Sequence, residues 1–170
     1  MMDESQLSRK VALETGRFGA RAVCTEPINA GEVLFQITGR LVRRPDRHSV
    51  QLGAEVHLTP EGAAWSLVNH SCTPNIIIDF DRWELVAHRP IAAGEELGWN
   101  YLTTEWDLSS PFQCGCADQD GHREILGFRY LSLDERRMLR PFVSPFIKSW
   151  FFRDLSRSAF DRVACGRRSG

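Results

Sequence analysis

Chemically capable side chains gather in three short stretches. Asn69-His70-Ser71-Cys72-Thr73-Pro74-Asn75 sets an amide, an imidazole, a hydroxyl and a thiol side by side, with Pro74 enforcing a turn. His70 and Cys72 stand two apart, and their geometry is not expected to make a catalytic Cys–His pair. Cys114-Gly115-Cys116 is the one close cysteine pair. Residues so near along the chain suit a shared metal ion better than a disulfide. The third stretch, Gly94-Glu95-Glu96-Leu97-Gly98-Trp99-Asn100-Tyr101, ends on a phenol beside an indole. Cys24 and Cys165 read as small apolar residues.

These stretches need a scaffold, and the pattern favours many short strands separated by turn signals. Val33 to Ile37 is one expected strand. Ile76 to Phe80 and Glu84 to His88 are expected to pair as a hairpin around Asp81-Arg82-Trp83. Pro27-Ile28-Asn29-Ala30-Gly31-Glu32-Val33-Leu34 is echoed 63 residues later by Pro90-Ile91-Ala92-Ala93-Gly94-Glu95-Glu96-Leu97, which suggests two similar turn-to-strand entries in one sheet-rich domain. Residues 39–64 read as a polar, Arg-rich connection with a short apolar run, Val50 to Leu52. Beyond Phe128 the texture turns helical. Ser132 and Glu135 form a capping box for a helix that should stop before Pro141, and a second helix is expected from Pro145 to Phe160 with Phe146, Trp150 and Phe151 on one side.

At 170 residues, with 42% hydrophobic and 25% charged residues, the chain has the composition of a soluble globular domain with a short extension. No run is long and apolar enough to span a bilayer, and Met1 to Lys10 is polar and mixed in charge, so no membrane contact and a cytoplasmic location are expected. A net charge of -1 offers no general basis for binding nucleic acid, and no direct nucleic-acid contact is expected. The charge is uneven. Residues 1–120 hold 10 Lys/Arg against 17 Asp/Glu, which suits a basic ligand such as a lysine-rich peptide, and residues 121–170 hold 11 against 5. Five cysteines, an odd number at irregular spacing, argue against a disulfide framework.

The segment Asn69–Asn75 resembles the N-H-S-C-x-P-N signature of SET-domain protein lysine methyltransferases, and other stretches match that family in order. Thr15-Gly16-Arg17-Phe18-Gly19-Ala20-Arg21-Ala22 resembles its opening glycine motif. Gly94 to Tyr101 resembles its G-E-E-L-T-F-D-Y, Phe112-Gln113-Cys114-Gly115-Cys116 looks like the start of its post-SET zinc segment, and Gly127-Phe128 like the end of it. The resemblance implies a mainly β fold with some α, built of small β-sheets with a pseudoknot. Its divisions would be a SET domain over 9–104, a post-SET-like zinc segment over 105–128 and a helical C-terminal extension over 129–170.

It also implies an S-adenosylmethionine-dependent methyltransferase acting on the lysine ε-amine of a protein or peptide. Arg17, Phe18, Gly19, Asn69, His70, Tyr101 and Phe112 would bind the cofactor, Tyr101 would be the catalytic tyrosine, and Trp99 would line the substrate channel. Structural zinc would be held by Cys72, Cys114 and Cys116. The family's fourth cysteine position falls here on Gly121, and the adjacent His122 could supply an imidazole instead. Other departures are Gly16 one place early, Ser66 where many relatives carry Arg, and Trp99 and Asn100 in place of a smaller aromatic residue and Asp. A degenerate SET domain acting as a non-catalytic binding module, or methylating a non-protein amine, is the alternative.

Overall fold

The computed structural model describes residues 8–16, 19–116 and 123–151. It contains twelve short strands among those residues, and three 3-10 turns beside two helical segments. Strands β1 (Val11–Gly16) and β2 (Gly19–Cys24) form an antiparallel pair. β3 (Val33–Gln36), β8 (Ile76–Asp79) and β9 (Glu84–Ala87) make a three-stranded sheet in the order β3-β9-β8. The expected hairpin is β8–β9. Ile76 and Ile78 are buried while Ile77 and Asp79 are less so, the alternation of a strand with one face on the core. At its turn the Asp79 carboxylate accepts the N–H groups of Asp81 and Arg82.

The two echoed segments do more than enter strands: they pair with each other. Ile28 and Ile91 exchange both backbone hydrogen bonds, at 3.0 and 2.9 Å. In each copy the glutamate after the glycine accepts the N–H three residues back, Glu32 from Asn29 and Glu95 from Ala92, both at 2.7 Å. Similar sequences have become similar turns set back to back in one core.

Residues 39–64 depart from expectation. They hold a second three-stranded sheet in the order β4-β6-β5, from β4 (Arg40–Val42), β5 (Val50–Gly53) and β6 (Val56–Thr59). The strands are short and only partly inward-facing, with Val50 buried and Leu41 62% exposed. Strands of three or four residues leave too little alternation to register as a pattern.

Two further pairs frame the chemistry. β7 (Asn69–His70) runs parallel to β10 (Gly98–Trp99), and β11 (Phe112–Cys114) pairs antiparallel with β12 (Arg123–Ile125). Segment 69–75 is clasped to 96–99 along its length. Ser71 N–H donates to Trp99 C=O, Asn75 N–H to Gly98 C=O, and the Asn75 amide both donates to Glu96 C=O and accepts from Gly98 N–H. The approach is so close that a Cβ on Gly98 would lie 2.7 Å from the Ser71 Cβ, which only glycine avoids.

A main core from Val11 to Trp99 includes Phe35, Leu34, Ile76 and Leu85. A second core joins Leu102, Cys114, Ile125 and Phe128 to Val143, Ile147 and Phe151. The cysteine segment and the C-terminal helices are thereby fixed to the turn carrying Tyr101. The Ser132–Glu135 capping box is formed, and α1 (Leu133–Leu139) ends before Pro141. The second helix begins at Pro145, with the Ser144 hydroxyl accepting Ile147 N–H. It is described through residue 151, and its expected continuation to Phe160 lies outside the described residues.

Candidate active site

Gly19, Asn69, His70, Trp99, Tyr101 and Phe112, far apart in the chain, line one cleft of about 1060 Å³. That is at the upper end of small-molecule sites and has room for more than one ligand group. Arg17, Phe18 and His122 lie outside the described residues.

The parallel β7–β10 pair explains the meeting. It places His70 opposite Trp99, and two residues later the chain closes a 3-10 turn (Tyr101–Thr103) that lifts Tyr101 beside the imidazole. Asn100 caps that turn, its Oδ1 accepting Leu102 N–H at 3.0 Å. An amide does this as well as a carboxylate would, so Asn100 serves the turn and faces away from the cleft toward a smaller cavity of about 320 Å³. The Tyr101 ring stands edge-on to His70 at 5.3 Å and to Phe112 at 6.1 Å, and tilted against Trp99 at 4.9 Å. Trp99 is only 5% exposed and forms wall rather than obstruction.

The Tyr101 hydroxyl donates to Val68 C=O at 2.8 Å. Burial pushes the phenol up to about 12, with the Arg47 guanidinium working in the opposite direction. The group therefore keeps its proton, spends it on Val68, and offers the cleft its lone pairs. Burial holds His70 down at about 4, so the ring is neutral. Its Nδ1 accepts Tyr101 N–H at 3.2 Å, which leaves the proton on Nε2.

That Nε2 faces Cys72 Sγ at 3.3 Å. Side chains two apart on an extended segment share a face, and the bend at Cys72 closes the gap. The contact is still not a nucleophilic pair. Burial, with Cys114 and Cys116 close by, pushes the Cys72 thiol up to about 12.

The sulfurs instead resemble a metal cradle. The ligand atoms of His70, Cys72, Cys114 and Cys116 all lie within 4.8 Å of one another. A tetrahedral zinc thiolate site with bonds of about 2.3 Å separates its sulfurs by roughly 3.8 Å. Cys72 and Cys114 match at 3.7 Å, while Cys114 and Cys116, at 2.9 Å, must open by somewhat under 1 Å. Backbone N–H groups of Cys72 and Cys116 already point at the sulfurs of Cys116 and Cys114. These donors stabilise thiolates, so the set fits zinc. His70 fits less well as a ligand. With Nδ1 accepting a hydrogen bond, Nε2 holds the ring proton and acts as a donor to Cys72.

At the other end of the cleft the Asn69 amide donates to Ala20 C=O and to Glu96, whose carboxylate also meets Arg21 at 3.6 Å. Gly19, at φ +108°, has none of the described residues within 4 Å of where a side chain would start apart from its own neighbours, so its backbone is exposed to the cleft on that side.

Residues 19–102 match the family model of the SET domain. The chain belongs to the SET-domain family. The match runs from Gly19 through the Tyr101 turn and includes every described residue of the cleft discussed so far except Phe112 and the cysteine pair. The SET domain's relatives include "Methyltransferase flvH" of Aspergillus flavus, 33% identical over 47% of this chain and 45% of that protein. "Histone-lysine N-methyltransferase trithorax" of Drosophila virilis is 29% identical over 57% of this chain and 3% of its own length. An H3 lysine-36 specific histone-lysine N-methyltransferase of Coccidioides immitis is 27% identical over 64% and 13%. The chain thus spans less than half the length of these relatives. Among solved structures, that of KRYPTONITE in complex with mCHH DNA, H3(1-15) peptide and SAH superposes with a TM-score of 0.54 at 18% identity, over 67% of this chain and 29% of that one. The mainly β SET fold expected from the sequence is the fold found.

Three contributors to the site went unnoticed in the sequence. The Val68 carbonyl is a backbone group and carries no residue signal. Asn75 belongs to the recognised motif, but its double bond to Glu96 and Gly98 shows only in three dimensions. Glu105, a single acid among apolar and hydroxyl neighbours just after Tyr101, was the one legible hint.

Proposed function

We propose that this SET domain is an S-adenosylmethionine-dependent methyltransferase whose acceptor is a lysine ε-amine of a protein. The observation that carries the reading is a single continuous cleft holding a backbone-lined polar end (Gly19, Asn69) and an aromatic end (Trp99, Tyr101, Phe112). The first suits an amino-acid zwitterion. The second suits an alkyl chain ending in an amine. When bound, S-adenosylmethionine supplies an electrophilic methyl group on a sulfonium. The chain's own work is alignment and exclusion of water. Tyr101 presents lone pairs that hydrogen-bond and orient the amine, Trp99 and Phe112 confine the alkyl chain, and Asn69 anchors the polar end. The relatives named as histone-lysine methyltransferases, and the H3 peptide in the KRYPTONITE structure, support a lysine acceptor.

Structural zinc would be held by Cys72, Cys114 and Cys116, with His122 supplying the fourth bond. It would tie the Asn69–Asn75 segment to β11 and so hold Phe112 against the site.

Incubation with radiolabelled S-adenosylmethionine and unfractionated histones tests the reading. Transfer of label to histone lysines is expected, and protein that neither binds the cofactor nor transfers label refutes it. Cofactor binding without transfer to any amine would favour the non-catalytic binding module.

A further inference from the structure

Glu105 has no part in the reading above, and its setting is unusual for a carboxylate. It lies one turn beyond Tyr101, with its N–H on the Tyr101 carbonyl at 3.0 Å, and it lines the same cleft while only 5% exposed. Its carboxylate accepts the Gln51 N–H at 2.9 Å and neighbours the Thr104 hydroxyl. Both partners are neutral. Among the described residues no cation pairs with it.

The charged and titratable groups on the surrounding elements are few. Tyr101 is on its own turn, and Asp46, Arg47 and His48 are on the loop before β5. His57 on β6 stands in register with Gln51, is buried with no partner for its Nδ1 among the described residues, and is pushed by burial toward its neutral form. Behind it, where Phe128 N–H donates to Glu105 C=O, Arg129 is taken up by Asp107 and Arg136 lies over the Trp106 and Phe128 rings. A glutamine would satisfy Gln51 equally well without the penalty of burying a charge. A buried carboxylate that opens on a cleft and lacks a cation suits a cationic ligand.

Resting on the lysine reading, we propose that the Glu105 carboxylate is the proton acceptor for the incoming amine. An N–H bond of the ammonium breaks, its electron pair stays on nitrogen, and the proton forms an O–H bond on Glu105. The freed lone pair would then displace the methyl group from the bound sulfonium, the carbon–sulfur bond breaking with its electron pair going to sulfur, and the carboxylic acid returns its proton to water in the cleft. Burial raises the Glu105 carboxyl to about 7, which places it in the range where a general base works near neutral pH. A sulfonium bound nearby would lower the amine toward it, as like charges do.

The test is the pH dependence of kcat/KM with unfractionated histones for wild type, E105Q and Q51A. Wild-type kcat/KM should rise with pH through about 7, because the ionised carboxylate is the active form. E105Q keeps the acceptor for Gln51 but cannot take a proton. It should lose about a hundredfold at pH 7, and the loss should shrink to a few-fold near pH 10, where roughly a third of the amine is already neutral in solution. Q51A removes the side-chain acceptor of Trp106 N–H while leaving the carboxyl, so any loss should be equal at every pH. A second readout needs no turnover. In protein labelled with ¹³C-carboxyl glutamate, the resonance absent from E105Q should titrate near 7 and move to lower pH when N-acetyl-lysinamide is added.

E105Q running parallel to wild type at all pH values, or a resonance unmoved by the amine, overturns the proposal and leaves the lysine reading standing. Wild type that binds S-adenosylmethionine but labels no amine overturns both.

Discussion

Removing one oxygen tests the role of Tyr101 most directly. Tyr101→Phe keeps the ring and its contacts with His70, Trp99 and Phe112, at centroid distances of 5.3, 4.9 and 6.1 Å. It deletes the 2.8 Å bond to Val68 C=O and the lone pairs facing the cleft. The lost hydrogen bond should reduce stability by about 1 kcal/mol, which for a chain of this size is roughly 2–4 °C in Tm. Loss of amine orientation should lower kcat about a hundredfold, equivalent to about 2.7 kcal/mol of transition-state stabilisation. Because the phenol, at about 12, stays protonated throughout the working range, the defect should be equally deep at pH 7 and pH 9. That separates Tyr101 from Glu105, whose loss is pH-dependent. Label transfer gives the rate, calorimetry the cofactor affinity (expected unchanged) and thermal unfolding the stability. Turnover within about threefold of wild type would refute the role and leave Tyr101 a packed residue tied to Val68.

About one zinc per chain is expected, and chelation should loosen the Cys114–Cys116 segment and its β12 partner first, because a structural metal couples binding to folding. Metal analysis and hydrogen exchange check this. Asn75→Ala should destabilise by about 2–4 kcal/mol, since it strands the Glu96 carbonyl and the Gly98 N–H inside the clasp, and denaturant unfolding measures it. Glu105→Gln should change stability in a pH-dependent way. With the folded carboxyl near 7 rather than the usual 4.5, the native state favours the protonated acid. That stabilising preference is complete below pH 4.5 and is lost as pH rises through 7. Moving from pH 4.5 to pH 8, the variant should therefore gain up to about 3 kcal/mol relative to wild type in urea unfolding. An unchanged difference would place Glu105 in water.

What the sequence determined by itself is largely what short-range physics can write. The β8–β9 hairpin, the Ser132 capping box, the stop before Pro141 and the two glycine turns each depend on a few consecutive residues, and each appears as read. Family resemblance placed Asn69, His70, Trp99, Tyr101 and Phe112 in one site. Tertiary structure decided everything that depends on pairing between distant segments. The sheet of residues 39–64 is built from strands too short to announce themselves. The echoed turns meet through Ile28 and Ile91, which no periodicity records. The proton on His70 and the direction of the Tyr101 hydroxyl are set by acceptors and donors that the 69–75 clasp on 96–99 brings into place. Glu105 owes its unusual character to burial against β5, and burial is a property of the folded surroundings rather than of the residue. Side-chain type limits what chemistry is possible, but the distance to a partner and the removal of water select which of it occurs.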